Sequence, residues 1–282
     1  MTDRPPDAPR RIRLRFAAEL RFLLPAPYRG GDVRRVHDGR SSLGHVVEAL
    51  GVPLTEVGEF TEAVEPGHGP GSGGVRSQVR TVPRAYVPRA GDALDVHAVR
   101  RPQPLPPGTP GPPRFLLDVH LGALARRLRL VGVDTAYRND SDDDTLLERA
   151  NAEQRVLLTR DRGLLRRHAL RLGAYVRGDG PDDQLRDVLT RFAPPLHPWS
   201  RCPSCNGSLV PVPKAEVAHR LEAGTRRTYD AFTRCRDCDR LYWPGAHHAR
   251  LAATVAAART AVGSAEHLGG SRDSGGGSGH AE

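Results

Sequence analysis

Four cysteines and a set of aspartates are the residues whose types and spacing can do chemistry here. Cys202 and Cys205 in "RCPSC" and Cys235 and Cys238 in "RCRDC" form two Cys-x-x-Cys knuckles. Two such knuckles supply the four thiolates that Zn2+ accepts in a tetrahedron. With every position taken by protein, no place is left for a reacting water, so a structural Zn2+ is expected. Neither pair opens a helix after a strand, which argues against a thioredoxin-type redox role. His247 and His248 read as surface residues or substitute ligands, and Tyr242 and Trp243 as ribbon packing or as rings that stack on a base. Among the aspartates, Asp118 closes the apolar run "FLLD" and Asp161 closes "LLTRD". Further acids stand at Asp140, Asp142, Asp143 and Asp144, and at Asp179, Asp182 and Asp183.

The elements around these acids explain why they matter together. From residue 114 the chain alternates: "RFLLDVH" strand, "LGALARRLRLVG" helix, "VDTAYR" strand, "DDDTLLERANAE" helix, "RVLLTR" strand, "RGLLRRHALRLG" helix, "AYVRG" strand and "PDDQLRDVLTRFA" helix. Repeated β-α units imply a parallel sheet with helices on both faces, so all strand C-termini share one edge. Acids then follow four successive strand ends at that edge. Clustered carboxylates repel and raise one another's pKa unless a cation sits among them, and hard cations such as Mg2+ or Mn2+ prefer oxygen ligands. Each acid also precedes a helix, where aspartate is a preferred N-cap, and Ser141 with Asp144 reads as a capping-box variant. Arg160, Arg162, Arg166 and Arg167 around Asp161 could hold a phosphate backbone, or could be the solvated face of a helix.

Ahead of this block, "RIRLRFA" at 11–17 alternates as a half-buried strand. "SSLGHVVEALG" at 41–51 has the Ser cap, apolar spacing and closing glycine of a helix, and "YVPRAGDALDVHAV" reads as a turn and a final strand. A small α+β sheet domain over 10–100 is expected, then a proline-rich spacer at 101–113. The α/β domain should span 114–195 and the cysteine lobe 196–250, with a disordered tail at 263–282.

A net charge of +9 predicts attraction to polyanions, RNA among them. No stretch reads as a signal peptide or a membrane span, so a cytoplasmic protein without a membrane partner is expected.

The motifs "FLLDVHLGALARRLRLVGVDTAYRNDSDDD", "RVLLTRDRGLL", "RCPSCNG" and "RCRDCDRLYWPGAHH", in this order, resemble the Mut-seven C-terminal RNase domain, a PIN-like nuclease module with a zinc ribbon. The resemblance implies a PIN-like parallel sheet and metal-dependent cleavage of RNA, with Asp118 and Asp161 as metal-binding catalytic acids. Asp143 or Asp144 falls where such domains place a further carboxylate, and Asp179 stands as a fourth. PIN-like relatives often carry another acid soon after the first, whereas this chain reads "DVHLG" there, with His120 nearby. An RNA- or ribosome-binding adaptor with little or no catalysis is therefore the alternative. The first domain is similar to the ubiquitin-like β-grasp module that precedes this RNase domain in bacterial proteins, which implies a protein partner. Sulfur carriers of that fold act through a free terminal Gly-Gly, but here "VHAVRRPQPLPP" runs on.

Overall fold

A computed structural model describes residues 11–64 and 78–273. Two compact units form: the N-terminal sheet together with the short segment Asp161–His168, and a second unit of Arg101–Arg160 and Ala169 onward.

In the first unit, β1 (Arg11–Phe16) buries Ile12, Leu14 and Phe16 and turns its arginines outward, as the alternation requires. β2 (Asp32–Val36) follows, then α1 (Leu43–Ala49), whose cap is Ser42, with its side chain accepting from the His45 N–H. β3 (Val57–Val64), β4 (Gln78–Val82) and β5 (Ala93–Ala98) complete a sheet of order β2-β1-β5-β3-β4. The central β1 and β5 are parallel and the other pairs antiparallel. The β3–β4 pair adds to the first strand, helix and final strand read above from sequence. Its signal is weak because the register shifts between Val57 and Phe60, which breaks the period of two. The Gly/Pro-rich loop expected at 66–74 lies outside the described residues.

The second unit opens with β6 (Phe115–Leu117), α2 (Gly122–Leu130), β7 (Thr135–Tyr137), α3 (Asp143–Ala152) and β8 (Val156–Thr159). After α4 (Arg162–Leu165), which belongs to the first unit, come β9 (Gly173–Tyr175) and α5 (Pro181–Phe192). β6 to β9 form one parallel sheet of order β7-β6-β8-β9. Its short strands are apolar on both faces, as a covered parallel sheet demands. Phe115, Leu117, Val156 and Leu158 pack into one core with α2 and α5, while Leu116 and Leu157 alternate to the other face. β6 leads to β7 on one side and the chain then crosses back to β8, so right-handed crossovers put α2 and α3 on opposite faces. The connections leaving β6 and β8 therefore diverge. In open parallel sheets the crevice outside such a divergence is where ligands bind.

The cysteine lobe holds β10 (Leu209–Val212), α6 (Lys214–Val217), α7 (Ala223–Thr228), β11 (Phe232–Cys235) and β12 (Leu241–Tyr242). Its antiparallel sheet, β10-β11-β12, covers a small core of Val212, Val217, Leu221 and Phe232. A final helix, α8 (His248–Asp273), adds Val255 and Ala258 to the core of the parallel sheet.

Several expectations need correction. The helix read at 162–173 is the single turn α4. The N–H groups of Arg166 and Arg167 bond three residues back, and Asn151 then holds the chain open, donating to the Ala169 carbonyl (2.7 Å) and accepting from the Arg171 N–H (3.1 Å). The cap of α3 is Asp142, not Ser141: its carboxylate accepts from the Thr145 N–H at 2.8 Å. Residues 263–273, assigned from sequence to the tail, are the end of α8, since the alanine-rich turns before them favour continued helix; the rest of the tail lies outside the described residues. The start of the proline-rich segment is laid on α5, with Arg101 paired to Asp187 (2.8 Å) and Gln103 exchanging hydrogen bonds with Arg191.

One glycine is indispensable to the α2–β7 turn. Gly132 has φ +84°, and a Cβ there would fall on the carbonyl oxygen of His197. Gly132→Ala is expected to cost roughly 3 kcal/mol in urea unfolding, with an unchanged m value. A loss below about 0.5 kcal/mol would show that the turn relaxes freely.

Candidate functional site

The four cysteines converge. Their sulfurs all lie within 4.8 Å of one another, with Cys202 Sγ 3.7 Å from Cys238 Sγ and Cys205 Sγ 3.4 Å from Cys235 Sγ. Sulfurs about 2.3 Å from a central Zn2+ would sit about 3.8 Å apart in a tetrahedron, so this set fits the ion. Burial pushes the Cys205 thiol up to about 12 and raises that of Cys238 as well. Burial also opposes the Cys202 thiolate, but the Tyr242 hydroxyl and the knuckle N–H groups outweigh it and bring that thiol down to about 7. Four thiolates can share this space only around a cation.

The knuckle is tied to the parallel sheet by residues that carry no obvious signature in the sequence. Arg129 of α2 is buried, and its guanidinium donates to the carbonyls of Thr135 (2.9 Å), Pro203 (3.1 Å) and Ser204 (2.8 Å). Asn206, at φ +75° just after the first knuckle, accepts from the Thr135 N–H (3.0 Å) and donates to Asp134 (2.9 Å). Burial pushes the Asp134 carboxyl up, but hydrogen bonds from Arg155 and Asn206 win and hold it below its ordinary range. The only hint in the sequence is an asparagine where the left-handed turn of a knuckle falls.

Because β6 to β9 are parallel, their C-terminal ends share one edge, and the acids after them differ sharply in environment. Asp118, directly after β6, is 7% exposed. Its Oδ2 accepts from the Thr159 hydroxyl at 2.6 Å, and it caps nothing with its side chain. Among the described residues Oδ1 has no hydrogen-bond partner and the carboxylate no ion pair. Asp161, two residues past β8, is exposed and uses Oδ1 to cap α4, accepting from the N–H groups of Gly163 (2.6 Å) and Leu164 (3.3 Å). Asp143 and Asp144 lie exposed in the first turn of α3, beside the cap Asp142. Asp179 is exposed, with Arg160 at 3.5 Å.

The neighbouring acids are neutralised by arginines. Asp140 pairs with Arg138 and Asp182 with Arg127, and both carboxyls are held below the usual range by these partners. Asp183 pairs with Arg186. Of the arginines singled out by sequence, Arg160 donates to the Gly178 carbonyl (3.1 Å). Within the first unit, Arg162 donates to the Leu23 carbonyl (2.8 Å) and Arg166 to that of Glu48 (3.3 Å). Arg167 is exposed. Among the described residues the cysteines alone gather three or more ligand groups within reach of one ion; the aspartates do not.

Residues 113–255, from the start of the parallel sheet through the cysteine lobe, match the family model for the Mut7-C RNAse domain. The chain belongs to that family. Residues 10–73 match the Mut7-C ubiquitin model, so the N-terminal sheet is the family's ubiquitin-like domain. The RNase domain contains Asp118, Asp143, Asp144, Asp161 and Asp179 as well as all four cysteines. No curated protein and no solved structure matches the chain significantly. No helix among the described residues is long and apolar enough to cross a membrane.

Proposed function

We propose that this chain is a divalent-metal-dependent ribonuclease acting at the carboxyl edge of its RNase-domain sheet. The observation that carries the reading is Asp118: a carboxylate almost removed from water, at the divergence of β6 and β8, held by a single hydroxyl. A buried carboxylate is costly without a cation or donors, and an all-oxygen donor set suits Mg2+ or Mn2+. Asp118 and Asp161 would hold the ion, with Asp143 or Asp144 and Asp179 as further carboxylates. When bound, such an ion activates a water and offsets the charge on the scissile phosphate.

The chain's own residues do the rest. Thr159 orients Asp118 by its hydroxyl hydrogen bond, and the Asp161 cap fixes one of its oxygens. Arg160, Arg162, Arg166 and Arg167 would meet the RNA phosphates; Arg162 and Arg166 already commit a donor to a backbone carbonyl, which positions their guanidinium planes.

Full-length protein is expected to cleave labelled RNA with added Mn2+ and not without it. A second reading, an RNA-binding adaptor, is favoured by the arginine pairs on Asp140, Asp182 and Asp183. RNA binding that ignores divalent ions, with no cleavage at any Mn2+ level, selects it. Thr159→Val is expected to lower cleavage about 10- to 100-fold by freeing Asp118 from its orienting partner. Unchanged rates at saturating Mn2+ and across a Mn2+ titration would remove Thr159 from the site.

A further inference from the structure

The chain has two tryptophans, Trp199 and Trp243, and both line one open groove of about 770 Å³ where the zinc-ribbon strands meet the start of α8. We infer that this groove binds a single-stranded RNA segment by stacking its bases, which deepens the ribonuclease reading by naming the form of its substrate. The rings are presented, not packed away: Trp199 is 38% and Trp243 41% exposed. Trp199 takes φ +64°, a backbone state that a bulky residue seldom adopts, and its N–H is anchored on the Leu130 carbonyl at 3.0 Å. Its indole stacks on His248, with ring centres 5.1 Å apart and planes 17° apart, so a flat platform stands ready on one wall. Trp243 lies against the backbone of Gly245, where a Cβ would come within 3.1 Å of the indole nitrogen.

Charge selects the occupant. A second cavity, about 490 Å³, shares Leu130, Pro203, His247 and Leu251 with the first and is walled by Arg126, Arg250 and Arg127, the last already paired with Asp182. The acid lining the aromatic groove, Asp230, is paired with Lys214 at 2.7 Å. An aromatic floor that runs into an arginine-lined trough matches bases on one side and phosphates on the other, and stacking tolerates any base sequence. A duplex keeps its bases stacked inside and cannot use the platform.

Because the groove holds every tryptophan of the chain, selectively excited tryptophan emission, free of the six tyrosines, reads this surface alone. Full-length protein without added divalent cation is titrated with a 12-nucleotide single-stranded RNA and with its duplex. Quenching is expected with the single strand only. Trp243→Ala should weaken binding roughly 5- to 150-fold, with Trp243→Tyr retaining most of it. The Arg126→Gln, Arg250→Gln double variant should flatten the salt slope of binding by about 1.4. Binding seen by anisotropy with unchanged tryptophan emission, or no binding at all, overturns the proposal. So does an apolar dye held in the groove that RNA does not displace, which marks a protein-docking surface. Cleavage in Mn2+ is scored separately on gels, so loss of quenching with cleavage intact refutes the groove alone, and quenching without cleavage refutes the nuclease reading alone.

Discussion

Asp118→Asn is expected to abolish RNA cleavage, lowering the rate on the order of 10³-fold while leaving the fold intact. Asparagine keeps the shape of the side chain, and its amide oxygen still accepts the 2.6 Å hydrogen bond from Thr159. What it removes is the negative charge. The interaction of a carboxylate with a divalent ion at a reacting phosphate amounts to several kcal/mol, and each 1.36 kcal/mol is a factor of ten in rate. Stability should not fall, because a buried charge with one hydroxyl donor gives way to a neutral amide. The measurement is cleavage of labelled RNA across a Mn2+ series, with thermal unfolding as control. Asp161→Asn should share the loss and also weaken the α4 cap by about 1 kcal/mol. If Asp118→Asn cleaves like wild type at every Mn2+ level, the acidic edge is not where the chemistry occurs.

Removing one of the four clustered cysteines should have the second large effect, on structure first. Cys205 is more exposed than its knuckle partner Cys202, so Cys205→Ser disturbs packing less and isolates the loss of the thiolate. The variant is expected to lose its zinc equivalent, as read by elemental analysis. It should also melt on the order of 10 °C lower, corresponding to about 4 kcal/mol for a unit of this size. The effect should reach the parallel sheet because Arg129 and Asn206 bond the knuckle to Thr135 and Asp134 at the start of β7. Chelation of the wild type should reproduce the drop. A Cys205→Ser protein that keeps its metal and its melting point would instead make the cysteines incidental.

The two centres differ in how openly the sequence announces them. Cysteine spacing is a local signal, because each knuckle delivers its two sulfurs from one tight turn and only the meeting of the two turns depends on the fold. Most of the alternating strands and helices from Phe115 to Phe192 were equally legible: the short apolar runs FLL and VLLT, each set between helical patterns, fit covered strands, and Gly132 ends α2 where glycine must. The same periodicity overran the chain after Leu165, since an arginine-rich amphipathic pattern says nothing about the Asn151 side chain that holds it open.

By themselves, then, the residues determined that the RNase-domain strands pair in parallel, that acids follow the strand ends, that four cysteines form two knuckles, and the family. Only the tertiary structure decided how differently those acids are placed, with Asp118 buried and Asp143, Asp144, Asp161 and Asp179 exposed. Capping, exposure and pairing with arginine depend on partners distant in sequence. Asp118 stands apart because Thr159, 41 positions away, comes to its carboxylate and because, among the described residues, no arginine does. The sequence offered Trp243 as a stacking ring but not the groove, since Trp199 and Trp243 lie in separate loops and line one space only once the ribbon and α8 have packed.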